Sequence, residues 1–250
     1  MTTVGIGGNH LYHAAATTNP QAEVVEMGNK LMVQGFIHDA PAVLGQYRLS
    51  KLLESCDRGP TFWQEVYETL SEPFDLLGER NAYGTPEATE EAILQTFSVS
   101  RVETPSHVLD KFDEHFRLLL HETERRRTGE ERLEFMTEDE LFSVFELLVM
   151  DVAPVLQSLK FCRTDNGYLG LVPYGTLPGD AIAIIHGCQV PFVLRASDNS
   201  LNYRLVGPCY VHGIMYGEAL RGRDGDDTRI HFLDLSCYLG SNQVNIGVVT

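Results

Sequence analysis

Cysteines are few, and spacing pairs none of them. Cys56, Cys162, Cys188, Cys209 and Cys237 are scattered, odd in number and form no CxxC motif. That pattern excludes a disulfide framework and points to reduced thiols in the cytoplasm. No apolar run approaches about 18 residues, so no membrane span is expected. The opening MTTVGIGGNHLYH has no basic region followed by an apolar core and does not read as a signal peptide. Positive charge is scarce as well, with 19 Lys and Arg against 35 Asp and Glu and a net charge of −16. Such a surface repels phosphate backbones and anionic lipid, which excludes nucleic acid and membranes as partners, and otherwise serves solubility.

The motifs of cofactor chemistry are missing too. GIGG at residues 5–8 lacks the GxGxxG spacing and a preceding strand, and NGYLG at 166–170 has no Lys-Ser/Thr after it. There is no GxSxG elbow, and no cysteine sits in a nucleophile motif. His10 and His13 stand three apart without a third ligand, too little for a metal site. Neither metal nor cofactor is expected.

What the chain does have is an ordinary globular composition, 43% hydrophobic and 22% charged over 250 residues, enough to bury a sizeable core. Residues 1–20 read as a poorly ordered or docking arm. Two apolar runs, 23–27 and 30–37, flank Gly28-Asn29 and predict a β-hairpin. Residues 46–153 are helical in pattern. Leu49, Leu52 and Leu53 suggest a short amphipathic piece, and Phe62, Trp63, Val66, Tyr67 and Leu70 follow a 3.6-residue period. Thr85-Pro86 is a helix start, a cap followed by proline. A long helix begins near Pro105 and ends in Arg125, Arg126 and Arg127, where the helix dipole favours cations. Thr137 and Glu140 make a capping box ahead of 141–152, a run apolar nearly all round, expected to be buried and to stop at Pro154.

From residue 160 the pattern turns to strands. Runs at 160–163 and 168–172 precede four more at 180–186, 191–196, 201–206 and 210–215, which predict an antiparallel meander. Further runs lie at 230–235 and 244–249, after a polar loop at 221–227. The economical arrangement is one α+β domain over residues 21–250: an antiparallel β-barrel or strongly curved sheet, with a large helical insertion packed outside.

The β-rich part carries a resemblance. Thr164-Asp165-Asn166-Gly167-Tyr168-Leu169-Gly170-Leu171-Val172-Pro173 is followed by Pro178-Gly179-Asp180 and Gly187. Then come Pro191-Phe192-Val193-Leu194-Arg195, Tyr203-Arg204-Leu205-Val206-Gly207, Tyr210-Val211-His212-Gly213-Ile214-Met215 and Gly217-Glu218. This series resembles the C-terminal region of fungal heterokaryon incompatibility proteins, and Leu31-Met32-Val33-Gln34-Gly35 with Asp39 resembles the strand that opens it. Pro208 departs from the family, which usually has an acidic residue there. The N-terminal incompatibility domain, associated with the cell-death response, is not in this sequence. The resemblance therefore implies a fungal, intracellular, β-rich module that does not trigger death by itself.

Candidate chemistry rests on polar residues in the strands. On a strand Tyr210, His212 and Ile214 would share a face, and a Tyr and His pointing into a barrel could offer protons or hydrogen bonds to a ligand. Equally, both could satisfy buried backbone groups. Glu218 is either a buried acid–base or a capping residue. Arg195, Asp180 and His186 are candidate substrate-binding residues, with a structural clamp between Arg195 and either Asp180 or Glu218 as the alternative. Trp63 could wall a site between helices and sheet, or serve as plain core.

Two functions fit this set. One is a cofactor-independent biosynthetic enzyme acting on a hydrophobic natural-product intermediate as a cyclase, isomerase or pericyclase, with His212, Tyr210 and Glu218 catalytic. The other is a non-enzymatic protein-interaction or regulatory module related to heterokaryon incompatibility.

Overall fold

The structure is a computed structural model and describes residues 12–16, 18, 22–25, 30–46, 61–79, 81–99, 106–129, 136–156, 158–197, 202–221 and 229–234. The expected short helix at Leu49, Leu52 and Leu53, the strand at 244–249, His10 and most of the polar loop at 221–227 lie outside the described residues.

Among the described residues, ten strands form two sheets. The N-terminal strands are β1 (Ala22–Val25), β2 (Lys30–Asp39) and β3 (Pro41–Leu44). After the helices come β4 (Leu159–Thr164), β5 (Leu169–Pro173), β6 (Ala181–Ile185), β7 (Phe192–Ala196), β8 (Asn202–Pro208), β9 (Tyr210–Val211) and β10 (Arg229–Asp234). One sheet runs β1-β2-β10-β8-β7-β6 and the other β3-β4-β5-β9. All described pairings are antiparallel except β8 with β10. As expected, the first hairpin, β1–β2, joins the C-terminal strands. The first half of β2 pairs with β1 and β10, and its second half, from Gly35 to Asp39, pairs with β6.

The expected four-strand meander is corrected to three. β6, β7 and β8 are sequential antiparallel neighbours, but β9 crosses to the other sheet and pairs with β5. It is also only two residues long, where a run to residue 215 was expected. His212 donates one ladder bond to Leu169 O at 2.9 Å, and the chain then turns through Gly213 at a φ of 100°.

Among the described residues, four helices lie between β3 and β4: α1 (Phe62–Leu77), α2 (Pro86–Phe97), α3 (Ser106–Thr128) and α4 (Glu138–Leu156). Their starts follow the sequence signals. The Thr85 side chain accepts from Ala88 N, with Pro86 in the first turn. At α4, Glu140 N donates to Thr137 Oγ1 at 3.3 Å and Thr137 N donates to Glu140 Oε2 at 2.8 Å, a reciprocal capping box. Two expectations about α4 fail. Pro154 does not end it, since the helix continues to Leu156. Nor is it buried all round: Leu141, Phe145 and Leu148 face the core, while Leu147 and Met150 are exposed.

The helices pack on the smaller sheet through aromatic contacts. Phe97 meets Phe161 of β4 at 4.9 Å and Phe116 of α3 at 4.8 Å between ring centroids. Strands with apolar groups on both faces are buried on both. In β6, Ala183 and Ile185 join the large core with the helices, whereas Ile182 and Ile184 join a second cluster with Cys162, Val172 and Val211. The coarse expectation of an α+β fold with antiparallel sheet therefore stands: among the described residues the helices accompany two sheets that are antiparallel but for the β8–β10 pair.

Candidate functional site

Where β9 ends, a tyrosine from the α1–α2 loop takes over. In a continued ladder Leu169 N would donate to His212 O. Instead Leu169 N donates to the Tyr83 hydroxyl at 2.8 Å, and that hydroxyl donates to His212 O at 3.3 Å. Tyr83 is thus inserted into the β5–β9 pairing like a rung. Its loop is held in place by Asn81, whose Oδ1 accepts from Tyr83 N and Gly84 N, and by Ala82 N donating to Gly167 O. Sequence reasoning missed Tyr83. It stands in a stretch, Asn-Ala-Tyr-Gly, that reads only as a turn.

Around this rung lies an aromatic cluster. The Tyr83 ring meets Tyr168 at 6.3 Å and His212 at 5.3 Å. Tyr12 meets both Tyr210 and Tyr216 at 5.8 Å. Although the strand ends between them, the Tyr210 hydroxyl and His212 Nδ1 are 3.0 Å apart. Burial raises the Tyr210, Tyr12 and Tyr83 phenols above their ordinary value, so all three keep their protons at neutral pH. Burial also lowers His212, outweighing the opposing pull of Glu91 and Glu218, and favours a neutral imidazole. With its proton on Nε2, that imidazole accepts the Tyr210 hydroxyl at Nδ1.

Glu218 opens a short 3₁₀ turn, Glu218–Leu220, just after this cluster, and its Oε2 accepts from Tyr216 N at 2.7 Å. That bond ties the turn to the residue before its cap position, and the Glu218 charge reaches both Tyr210 and His212. The structure therefore brings Tyr210 and His212 into contact, with Glu218 nearby.

The other candidates go elsewhere. Asp180, 2% exposed, faces Arg195 across the β6–β7 hairpin. Arg195 Nε donates to Asp180 Oδ1 and Nη2 to Asp180 Oδ2, each at 2.8 Å, and Nη2 also reaches Gly175 O. Asp180 Oδ2 further accepts from Leu177 N at 2.8 Å. This is a bidentate clamp that ties a turn to a hairpin. Of the two clamp partners considered for Arg195, the structure selects Asp180. His186 stands in the turn after β6, where its amide bonds Gln34 O. Trp63 is held among helices: its Nε1 donates to Glu138 Oε1 at 2.6 Å, Arg126 lies over its ring at 5.0 Å, and Phe62 and Phe145 pack against it. Arg126 completes the unit by pairing with Glu138 at 2.8 Å. Buried Cys162 and Cys188 have thiols raised by desolvation, to about 12 and about 11, so neither is poised as a nucleophile.

The arm supplies one more contact that the sequence left open. Tyr12, Ala14 and Ala15 are buried, and the Tyr12 hydroxyl donates to Val99 O at 3.0 Å. Of the two expectations for the arm, docking holds for its described residues.

A family model described as the Het-6 beta-barrel domain matches residues 104–229. Heterokaryon incompatibility protein 6, OR allele, of Neurospora crassa is 40% identical over 68 residues, 26% of this chain and 10% of that protein. The chain thus covers about a tenth of that relative's length. No solved structure matches. No described helix is long and apolar enough to cross a membrane, and the described residues contain no group of three or more His, Cys, Asp or Glu placed to hold a metal ion.

Proposed function

Because this chain belongs to the Het-6 beta-barrel domain family, whose model spans just over half of it, we propose that it is a non-enzymatic interaction or regulatory module related to heterokaryon incompatibility. The observation that carries this reading is the use already made of the candidate catalytic groups. The Tyr210 hydroxyl is engaged by His212, Glu218 Oε2 by a backbone amide, both Asp180 oxygens by Arg195, and Trp63 Nε1 by Glu138. A set of groups satisfied within the chain fits a rigid scaffold for recognition better than a reaction centre that must offer them to substrate. Neither comparison supports the biosynthetic-enzyme expectation.

The finer fold in this reading is a barrel closed along the second half of β2. Its support is the β2–β6 pairing, which returns the strand order to a strand it has already passed. Gly35 adds to it: a Cβ there would lie 2.3 Å from Ile184 O.

The function is tested in the mycelium. Expression of this chain in paired fungal strains that differ at an incompatibility locus should change the frequency of stable heterokaryons. An unchanged frequency at confirmed expression contradicts the reading.

A further inference from the structure

Residues 12–16 and Thr18 sit in the protein as a bound peptide would. They belong to no strand or helix. Their hydrogen-bond partners come from three places distant in sequence: Val99 just past α2, the β6–β7 turn at 187–189, and the turn at 213–217. His13 N donates to Met215 O at 2.9 Å, Ala14 N to Gln189 O at 2.9 Å and Ala15 N to Cys188 O at 3.4 Å, while Gly187 N donates to Thr18 Oγ1 at 3.1 Å. Main-chain bonds of this kind supply affinity without reading sequence, and side-chain seats supply the selectivity.

The seats are specific. Tyr12 is 3% exposed, its hydroxyl is fixed on Val99 O, and its ring lies against Tyr210 and Tyr216. Ala14 and Ala15 are 0% and 1% exposed, so nothing larger than a methyl group fits without displacing the surroundings. Ala16 has a φ of 47°, and a Cβ on Gly217 would come within 2.9 Å of its own Cβ. Gly217 itself has a φ of 85°, so glycine is needed there both for its backbone and for close approach of the segment.

We propose that this groove is a peptide-recognition site, filled in cis by residues 12–16 and Thr18 and able to take in trans a partner segment with a tyrosine followed, one residue on, by two alanine-sized residues. This rests on the interaction-module reading and names the chemistry of its partner. The resident segment acts as a tethered competitor, since a short tether holds it at an effective concentration on the order of millimolar. A free partner segment gains the groove when the resident is weakened or released.

The test uses a fluorescently labelled synthetic peptide of residues 9–18 and the full chain. With Tyr12→Ala in the protein, the peptide should bind saturably and at least tenfold more tightly than to the unmodified chain, and a peptide with alanine in place of its tyrosine should not compete. Equal binding to both proteins, or no binding to a folded Tyr12→Ala chain, overturns the proposal. Should Tyr12→Ala fail to fold, a full chain with a protease site inserted between Thr18 and Ala22 replaces it. After cleavage its resident segment should exchange for labelled peptide, and retention without exchange overturns the proposal. If the peptide fails while the full chain binds an incompatibility protein, the groove is wrong and the module reading stands; the reverse result separates them the other way.

Discussion

Tyr83 and the Asp180–Arg195 pair show how single residues fix this structure. Tyr83→Phe removes one hydroxyl and leaves Leu169 N and His212 O to find each other or go unpaired. About 1–2 kcal/mol of stability should be lost in urea denaturation, and His212 amide exchange should quicken. Arg195→Ala leaves the buried Asp180 carboxylate without its bidentate partner. Because Arg195 is partly exposed, water recovers some of the loss, and about 2–3 kcal/mol is expected from the same measurement. His212 contributes a pH dependence. Its folded pKa lies below its unfolded value, so the folded state resists protonation. Stability from this group is complete above the unfolded value of about 6.5 and is lost as pH falls through the lower folded value. An NMR titration of the His212 ring should place its midpoint below that of a free histidine; a midpoint at or above it contradicts the burial argument. At this scale the sequence was partly legible. Asp180 after Pro-Gly and Arg195 on the neighbouring run carry opposite charges across a predicted hairpin, which is why their clamp could be foreseen. Tyr83 could not be, because its partners lie 86 and 129 residues away and leave no local pattern.

Elements were more legible where they begin than where they end. Capping chemistry is local, so Thr85 with Pro86 and Thr137 with Glu140 marked the starts of α2 and α4 correctly. The end of α4 differs because Pro154 lies in a helix that continues past it to Leu156. Its burial was misjudged because an apolar residue need not face the core: Met150 is 74% exposed. Accordingly Met150→Gln should change stability by no more than about 0.5 kcal/mol, whereas Leu148→Ala, on the buried face of the same helix, should cost about 2–5 kcal/mol; thermal unfolding of the two variants decides. β9 was drawn too long for a related reason. Tyr210, Val211, His212 and Ile214 have strand character, but pairing stops where the Tyr83 hydroxyl enters the ladder and Gly213 turns the chain.

At the scale of the whole molecule, the order hairpin, helices, strands was enough to give the α+β class, because a first hairpin with an apolar face must find other strands to cover it. Which strands it would find was not readable. Pairing of β2 with both β10 and β6 joins strands far apart in sequence, which no local window contains. Gly35 is where β2 and β6 approach too closely for a side chain. Gly35→Ala should prevent folding or strip protection from the β2–β6 amides, read by hydrogen exchange, since the added methyl meets backbone rather than a movable side chain.

The direct test of an interaction module is association. Biolayer interferometry of the immobilised full chain against purified full-length heterokaryon incompatibility proteins from the same fungus should give saturable binding with a Kd of roughly 1–100 μM. The Tyr12→Ala chain should bind more tightly. Absence of binding to all of them at about 100 μM, with the immobilised chain shown to be folded, contradicts the function assigned to this protein.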